Sequence, residues 1–126
     1  MANMRTMNGG NFFGSCQIDT SKLLGSITTE GGSYTTTQDC GMVCKMSTLG
    51  YQAFVCMNGD TSKQLISSNT SQGGISANAK IGFDNNDNLD GYAMFIPKGT
   101  TLTTREHTWA AGTYSNTYDV RFYKLI

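Results

Sequence analysis

The chain has 126 residues, enough for one domain around one hydrophobic core. Its nine basic and nine acidic side chains cancel to a formal net charge of zero. Nucleic acid requires a basic surface, and an anionic membrane attracts a polybasic cluster, so we expect neither as a partner. A net charge near zero also leaves association between copies of the chain unopposed.

The composition favours strands over helices. Glutamate occurs only at Glu30 and Glu106, whereas β-branched and aromatic residues are frequent. Fifteen glycines and a single proline are typical of many tight turns. No apolar segment has the length of a signal peptide or a membrane span, so we expect the four cysteines to be free thiols. Disulfides formed after an unrecognised export route are the alternative.

Residues 1–14 follow no period of 2 or 3.6, and we interpret them as an extended N-terminal arm. The arm precedes a single predicted domain over residues 15–126. Phe12 and Phe13 are aromatic anchors with which the arm can dock on an assembly partner. A frayed terminus is the alternative. Residues 15–37 carry only a weak apolar pattern, which fits short strands or a brief helical turn.

Apolar and polar residues alternate clearly from Asp39 onward, which predicts half-buried strands. The dipeptide Asn58-Gly59 fits the positive φ angles of a type I′ hairpin turn. Successive strands joined by turns predict an all-β sandwich or barrel, of which we expect the antiparallel β-sandwich. The predicted strands cover residues 42–46, 51–57, 63–67, 75–83, 92–96, 100–105 and 118–123, of which 100–105 is expected at a sheet edge.

The predicted strand over residues 51–57 is apolar on both of its faces. Ala53 and Val55 share one face, and Phe54 and Cys56 share the other. A strand of this kind needs cover on both faces. We therefore expect Phe54 and Cys56 to lie in a subunit interface and the domain to be a homo-oligomer.

No catalytic constellation is recognisable. His107 is the only histidine, and the chain has no strained nucleophile turn of the G-x-S-x-G type. Cys40 and Cys44 fall on a predicted strand, where their side chains stand roughly 13 Å apart, too far to hold one zinc ion. We therefore expect a non-enzymatic protein without a cofactor.

Two loops carry weaker candidates for ligand binding. Asp84, Asp87 and Asp90 supply oxygen atoms of the kind that calcium selects, but the spacing does not meet the EF-hand motif, so they remain weak candidates beside a plain turn. Trp109 and Tyr114 precede the last predicted strand and can stack on a glycan. Packing in the core or an interface is the alternative for both aromatic residues.

Three segments near the C-terminus form a recognisable series. They are Tyr92–Thr101 (YAMFIPKGTT), Ala111–Tyr114 (AGTY) and Tyr118–Tyr123 (YDVRFY). The series resembles the ending of the terminal β-sandwich domains of tailed-phage fibres and related virion surface proteins. The resemblance implies a jelly-roll-like sandwich, usually a homotrimer, on the surface of a bacteriophage particle made in the host bacterial cytoplasm. No collagen-like or coiled-coil shaft precedes the domain, which points to a decoration, a head fibre, or a tail or baseplate component.

The first functional hypothesis is therefore a non-enzymatic virion structural protein. It would assemble with copies of itself and with other virion proteins, and it can take part in host attachment by contacting a bacterial surface glycan. The alternative is an extracellular carbohydrate-binding or adhesion module of a bacterium.

Overall fold

The structure, a computed structural model, describes residues 13–48, 52–69, 77–107 and 116–126. Within these ranges the chain forms antiparallel strands and no helix, which confirms the all-β class. No helix long and apolar enough to cross a membrane occurs in the described residues. The strands are β1 (Ser15–Ile27), β2 (Ser33–Thr35), β3 (Cys40–Thr48), β4 (Gln52–Met57), β5 (Gln64–Asn69), β6 (Ala77–Ile81), β7 (Tyr92–Ile96), β8 (Thr101–His107) and β9 (Asn116–Leu125).

The strands form two sheets, one of which closes on itself. The first sheet has the order β6-β3-β7-β1-β9, and the second has the order β2-β8-β4-β5. In the first sheet β9 also pairs with β3 along the whole length of β3, from Cys40 opposite Lys124 to Thr48 opposite Asn116. The strands β3, β7, β1 and β9 therefore form a closed ring, and β6 extends the sheet beside β3.

The main hydrophobic core contains buried residues from both sheets. Met42 and Phe122 come from the first sheet, and Val55 and Leu102 come from the second; all four are fully buried. Burying one large apolar side chain contributes roughly 1.5–3 kcal/mol to the free energy of unfolding, so this core holds the two sheets together.

A second, smaller core lies on the opposite face of β3. Each strand of the ring contributes one buried residue to it, and the loop after β6 adds Phe83; the ring residues are Ile18, Val43, Ala93 and Tyr123. Gly41 of β3 lies against Ile18 of β1 and Ala93 of β7. A Cβ atom at Gly41 would come within 2.3 Å of Ile18 Cγ2 and 2.8 Å of Ala93 Cβ. The closure of the ring therefore requires glycine at this position.

The structure corrects three strand predictions. Residues 15–37, whose pattern was weak, contain the long strand β1. The strand predicted at a sheet edge is β8, which lies between β2 and β4. The strand predicted over 75–83 ends at Ile81, because Gly82 has a φ of +76° and turns Phe83 into the second core.

The prediction that Phe54 and Cys56 form a subunit interface is wrong. Both side chains are 0% exposed in the single chain. The Phe54 ring packs against the imidazole of His107 with 5.0 Å between ring centroids. On the same face of β4, the amide of Gln52 donates a hydrogen bond to Gln64 Oε1 at 2.9 Å. The chain itself therefore covers the apolar residues on this face, and no second subunit is needed.

The turn between β7 and β8 is held by Thr36, which is 3% exposed. The Thr36 hydroxyl donates to the carbonyl of Pro97 at 2.7 Å and accepts the backbone N–H of Thr100 at 2.9 Å. The backbone N–H of Lys98 donates to Asp39 Oδ1 at 2.8 Å. The PKGT segment is thus fixed by side chains from the connection between β2 and β3.

Thr36→Val should destabilise the domain by about 1–3 kcal/mol, because it leaves the partly buried Thr100 N–H without its hydroxyl partner and preserves side-chain shape. Thr35→Val is the matched control, since Thr35 is exposed and bonds only to the Thr101 hydroxyl among the contacts described. Its effect should stay within about 0.5 kcal/mol. Denaturant unfolding of the two variants measures both values, and equal effects would contradict the role given to Thr36.

The hairpin turn and the cysteines agree with the sequence analysis. Asn58 and Gly59 have φ angles of 55° and 73°, as a type I′ turn requires. All four cysteines are free, and Cys40, Cys44 and Cys56 are fully buried. Burial raises the pKa of Cys40 and Cys44 to about 12.

We expect the native protein to react slowly with a thiol reagent, because the thiolate is the reactive species and buried thiols rarely ionise. Cys16, which is only partly buried, should react first. All four thiols should react rapidly after unfolding, and reductant should leave the melting temperature unchanged. Rapid modification of three or more thiols in the folded protein would contradict this prediction.

Candidate functional site

Three connections of the chain leave and re-enter the sheets at the same end. In the first sheet Thr48 lies opposite Ala77 on one side and Asn116 on the other. In the second sheet Gln52 lies opposite Asn69 and His107. These six residues flank the segments 49–51, 70–76 and 108–115, which therefore start and finish at one place. We call the surface formed by the six flanking residues the connection end.

A chain of hydrogen bonds links the two sheets at the connection end. The Thr48 hydroxyl donates to Asn116 Oδ1 at 2.6 Å, and Asn116 Nδ2 donates to Glu106 Oε2 at 2.5 Å. The Tyr118 hydroxyl donates to the carbonyl of Arg105 at 3.3 Å. Burial, and then the nearby Glu106 carboxylate, raise the pKa of Tyr118. These bonds join β3 and β9 of the first sheet to β8 of the second and fix this end of the main core.

The outer face of the second sheet brings three polar side chains to the same end. Asn69, Gln52 and His107 lie opposite one another on β5, β4 and β8. Asn69 is exposed, and the other two are partly exposed. Amide and imidazole groups both donate and accept hydrogen bonds, so this row can contact a polar ligand.

The glycan candidates Trp109 and Tyr114 lie outside the described residues. Their segment, 108–115, joins His107 to Asn116, so both belong to a connection that begins and ends at the connection end. Sequence reasoning found the aromatic residues but missed the Thr48–Asn116–Glu106 chain. Nothing in the pattern relates these three residues, which come together only through the strand pairing.

The acidic loop after β6 is held by contacts within the chain. Asp84 accepts the backbone N–H groups of Asn86 and Asn88, each at 2.8 Å. Asp90 accepts the backbone N–H of Tyr92 at 3.0 Å. These two carboxylates therefore stabilise the local turn, which is the common role of aspartate in loops.

Asp87 is bound by two lysines. Its Oδ2 lies 2.8 Å from Lys45 Nζ, and its Oδ1 lies 2.8 Å from Lys80 Nζ. The hydrogen bonds from Lys45 and Lys80 lower the pKa of Asp87 to about 2. No group of three or more histidine, cysteine, aspartate or glutamate side chains that could hold a metal occurs in the described residues. The calcium candidates Asp84 and Asp90 are thus not brought together with Asp87 around a cation.

The end of the predicted arm is part of the domain. Phe12 lies outside the described residues, whereas Phe13 is partly buried and packs against the main core. The backbone N–H of Phe95 donates to the carbonyl of Gly14 at 2.8 Å. Phe13 therefore packs within its own domain.

Comparisons of the chain with protein-family models, with curated proteins and with solved structures returned no match.

Asp87→Asn should lower the melting temperature at neutral pH, because it removes the charge that binds Lys45 and Lys80. The folded state lowers the pKa of Asp87 from about 3.9 to about 2, so its contribution is complete above about pH 4 and is lost as the pH falls through 2. The gap in melting temperature between wild type and variant should therefore shrink from pH 4 to pH 2. A gap that does not change with pH would contradict this assignment.

Lys80→Met tests the contact with Asp87, and Lys63→Met is its matched control. Lys80 Nζ is 2.8 Å from Asp87, whereas Lys63 Nζ is 4.0 Å from its partner Asp60. In a double-mutant cycle, Asp87→Asn should cost less stability when Lys80→Met is already present. Lys63→Met should leave the cost of Asp87→Asn unchanged. The same coupling for both lysines would show that the effect is not specific to the Asp87 contact.

Proposed function

We propose that this chain is a non-enzymatic structural protein of a bacteriophage virion surface and that its connection end contacts a bacterial surface glycan. The observation that carries the proposal is the meeting of three connections at one end of an all-β scaffold. Binding residues concentrate on connecting segments that a rigid scaffold positions. The hydrogen bonds of Thr48, Asn116 and Glu106 hold together strand ends next to these connections.

The composition of the three connections supports a neutral polar ligand. Segments 49–51, 70–76 and 108–115 contain no charged residue and are rich in glycine, serine and threonine. They also contain three aromatic residues, Tyr51, Trp109 and Tyr114. Aromatic residues beside small polar ones are typical of adaptable binding surfaces, and aromatic faces stack on sugar rings. The same features favour the alternative, an extracellular carbohydrate-binding module of a bacterium.

The fold interpretation that fits this function is a jelly-roll-like β-sandwich in which one layer closes into a ring. A core shared by both sheets supports the sandwich. Of the segments that carry the resemblance to phage domains, the PKGT turn introduces β8 and YDVRFY lies within β9. The resemblance also supports a homotrimer that associates with other virion proteins, through an interface that does not use Phe54 and Cys56.

The glycan contact is tested by binding to an array of bacterial surface polysaccharides. Trp109→Ala and Tyr114→Ala should each weaken binding at least tenfold, because a central aromatic contact contributes about 2 kcal/mol or more. Leu23→Ala is the control, since Leu23 is an exposed apolar side chain of β1. Absence of any bound glycan, or equal losses in all three variants, would overturn the proposed ligand. Detection of the chain in purified phage particles by mass spectrometry would separate the virion assignment from the bacterial alternative.

A further inference from the structure

A crevice opens where two strands share one edge of β3. Cys44 pairs with Ile81 of β6, and Met42 pairs with Met94 of β7. Between these two pairings the neighbour of β3 changes from β6 to β7, and β7 also pairs with β1. The crevice has a volume of about 220 Å³ and is lined by Phe13, Ser15, Ile81, Gly82, Tyr92, Ala93 and Met94.

The size of the crevice limits what can occupy it. Pockets for drug-sized ligands have volumes of about 300–1,000 Å³. A cavity of about 150 Å³ holds a benzene molecule. The crevice is therefore too small for a cofactor or an oligosaccharide, but it is large enough for an aromatic or methionine side chain of a protein.

The apolar surface continues beyond the crevice. Tyr92 is 56% exposed, and Ile126 is 85% exposed. Tyr92 lies opposite Gln17, and the backbone N–H of Ile126 donates to the carbonyl of Gln17 at 3.3 Å. The two apolar residues therefore flank Gln17 on neighbouring strands, about 10 Å apart. A partner that fills the crevice can cover both of them.

The chain supplies a matching segment at the rim of the crevice. Phe13 lines the crevice, and residues 1–12 join the domain at Phe13. This segment contains three methionines and Phe12 and only one charged side chain, Arg5. Twelve extended residues reach at most about 40 Å, enough to extend onto a neighbouring molecule.

We propose that the crevice binds residues 1–12 of a second copy of this chain, with an apolar side chain such as Phe12 inserted. Phe13 already forms one wall, and the hydrogen bond from Phe95 to Gly14 fixes the chain where it enters the domain. Entry into the crevice of the same molecule would need a reversal of the chain directly at this wall, whereas entry into a second copy needs none. The zero net charge of the chain does not oppose the association.

This inference rests on the proposed function, because it identifies the contact through which a virion protein of this kind assembles with itself. Exchange of terminal segments between identical subunits makes every subunit both donor and acceptor, which favours a closed symmetric assembly. The crevice thereby replaces the outer face of β4 as the predicted interface.

Light scattering during size-exclusion chromatography at micromolar concentration tests the proposal. We expect the wild type to be an oligomer, and the deletion of residues 2–12 and the variant Ser15→Trp to be folded monomers. Ser15 is exposed and lines the crevice, so tryptophan there blocks the site. Ser33→Trp is the matched control, since it places the same side chain at an exposed serine on β2 and should remain an oligomer. Tyr92→Glu is a second blocking variant should Ser15→Trp not fold.

A mixing experiment distinguishes exchange between copies from insertion within one copy. The deletion variant has an open crevice and no donor segment, whereas Ser15→Trp has a donor segment and a blocked crevice. A mixture of the two should form a complex that neither forms alone. A monomeric wild type, oligomers that persist in both variants, or a mixture that stays monomeric would overturn the proposal. Glycan binding by the monomeric deletion variant is a separate readout, so failure of this proposal and failure of the glycan proposal are distinguishable.

Discussion

The pairing of β3 with β9 is the interaction on which the rest of the structure depends. It runs from Cys40 to Thr48 without interruption and closes the ring of four strands. Because the ring curves around β3, this strand is buried on both faces: Met42 lies in the main core and Val43 in the second core. Gly41 permits the approach of β1 and β7. Without this pairing β9 and one side of β3 would be free edges, and the ring around the second core would be open.

Alternation in the sequence predicted β7 and β9 correctly, although each of them also contributes one residue to the second core, and it missed β1. The pattern of β7 and β9 is regular because one face of each strand follows the main core. The strand β1 escaped recognition because its pairing with β9 is interrupted by register shifts, and residues such as Ser21 and Lys22 are exposed there. The imidazole that packs against Phe54 belongs to His107, a distant part of the chain, so a local pattern could not indicate that cover.

The candidate sites show the same division between local and non-local information. The sequence identified the acidic loop but not the lysines that bind Asp87, because Lys45 belongs to a strand about forty residues earlier and meets the loop only through the pairing of β3 with β6. The two ammonium groups provide the positive charge that a calcium ion would otherwise supply. Likewise, Trp109 and Tyr114 were recognisable as aromatic residues before the last strand, but the convergence of three connections required the sheet register.

The two proposed contacts use separate parts of the same scaffold. The crevice adjoins β3 near Met42 and Cys44, whereas the connection end lies at Thr48. Four residues of an extended strand separate Cys44 from Thr48, a distance of about 13 Å. The proposed self-association at the crevice therefore leaves the connection end accessible. An assembly built in this way presents several copies of one binding surface, and weak individual contacts with a repeated surface glycan then add up to strong attachment.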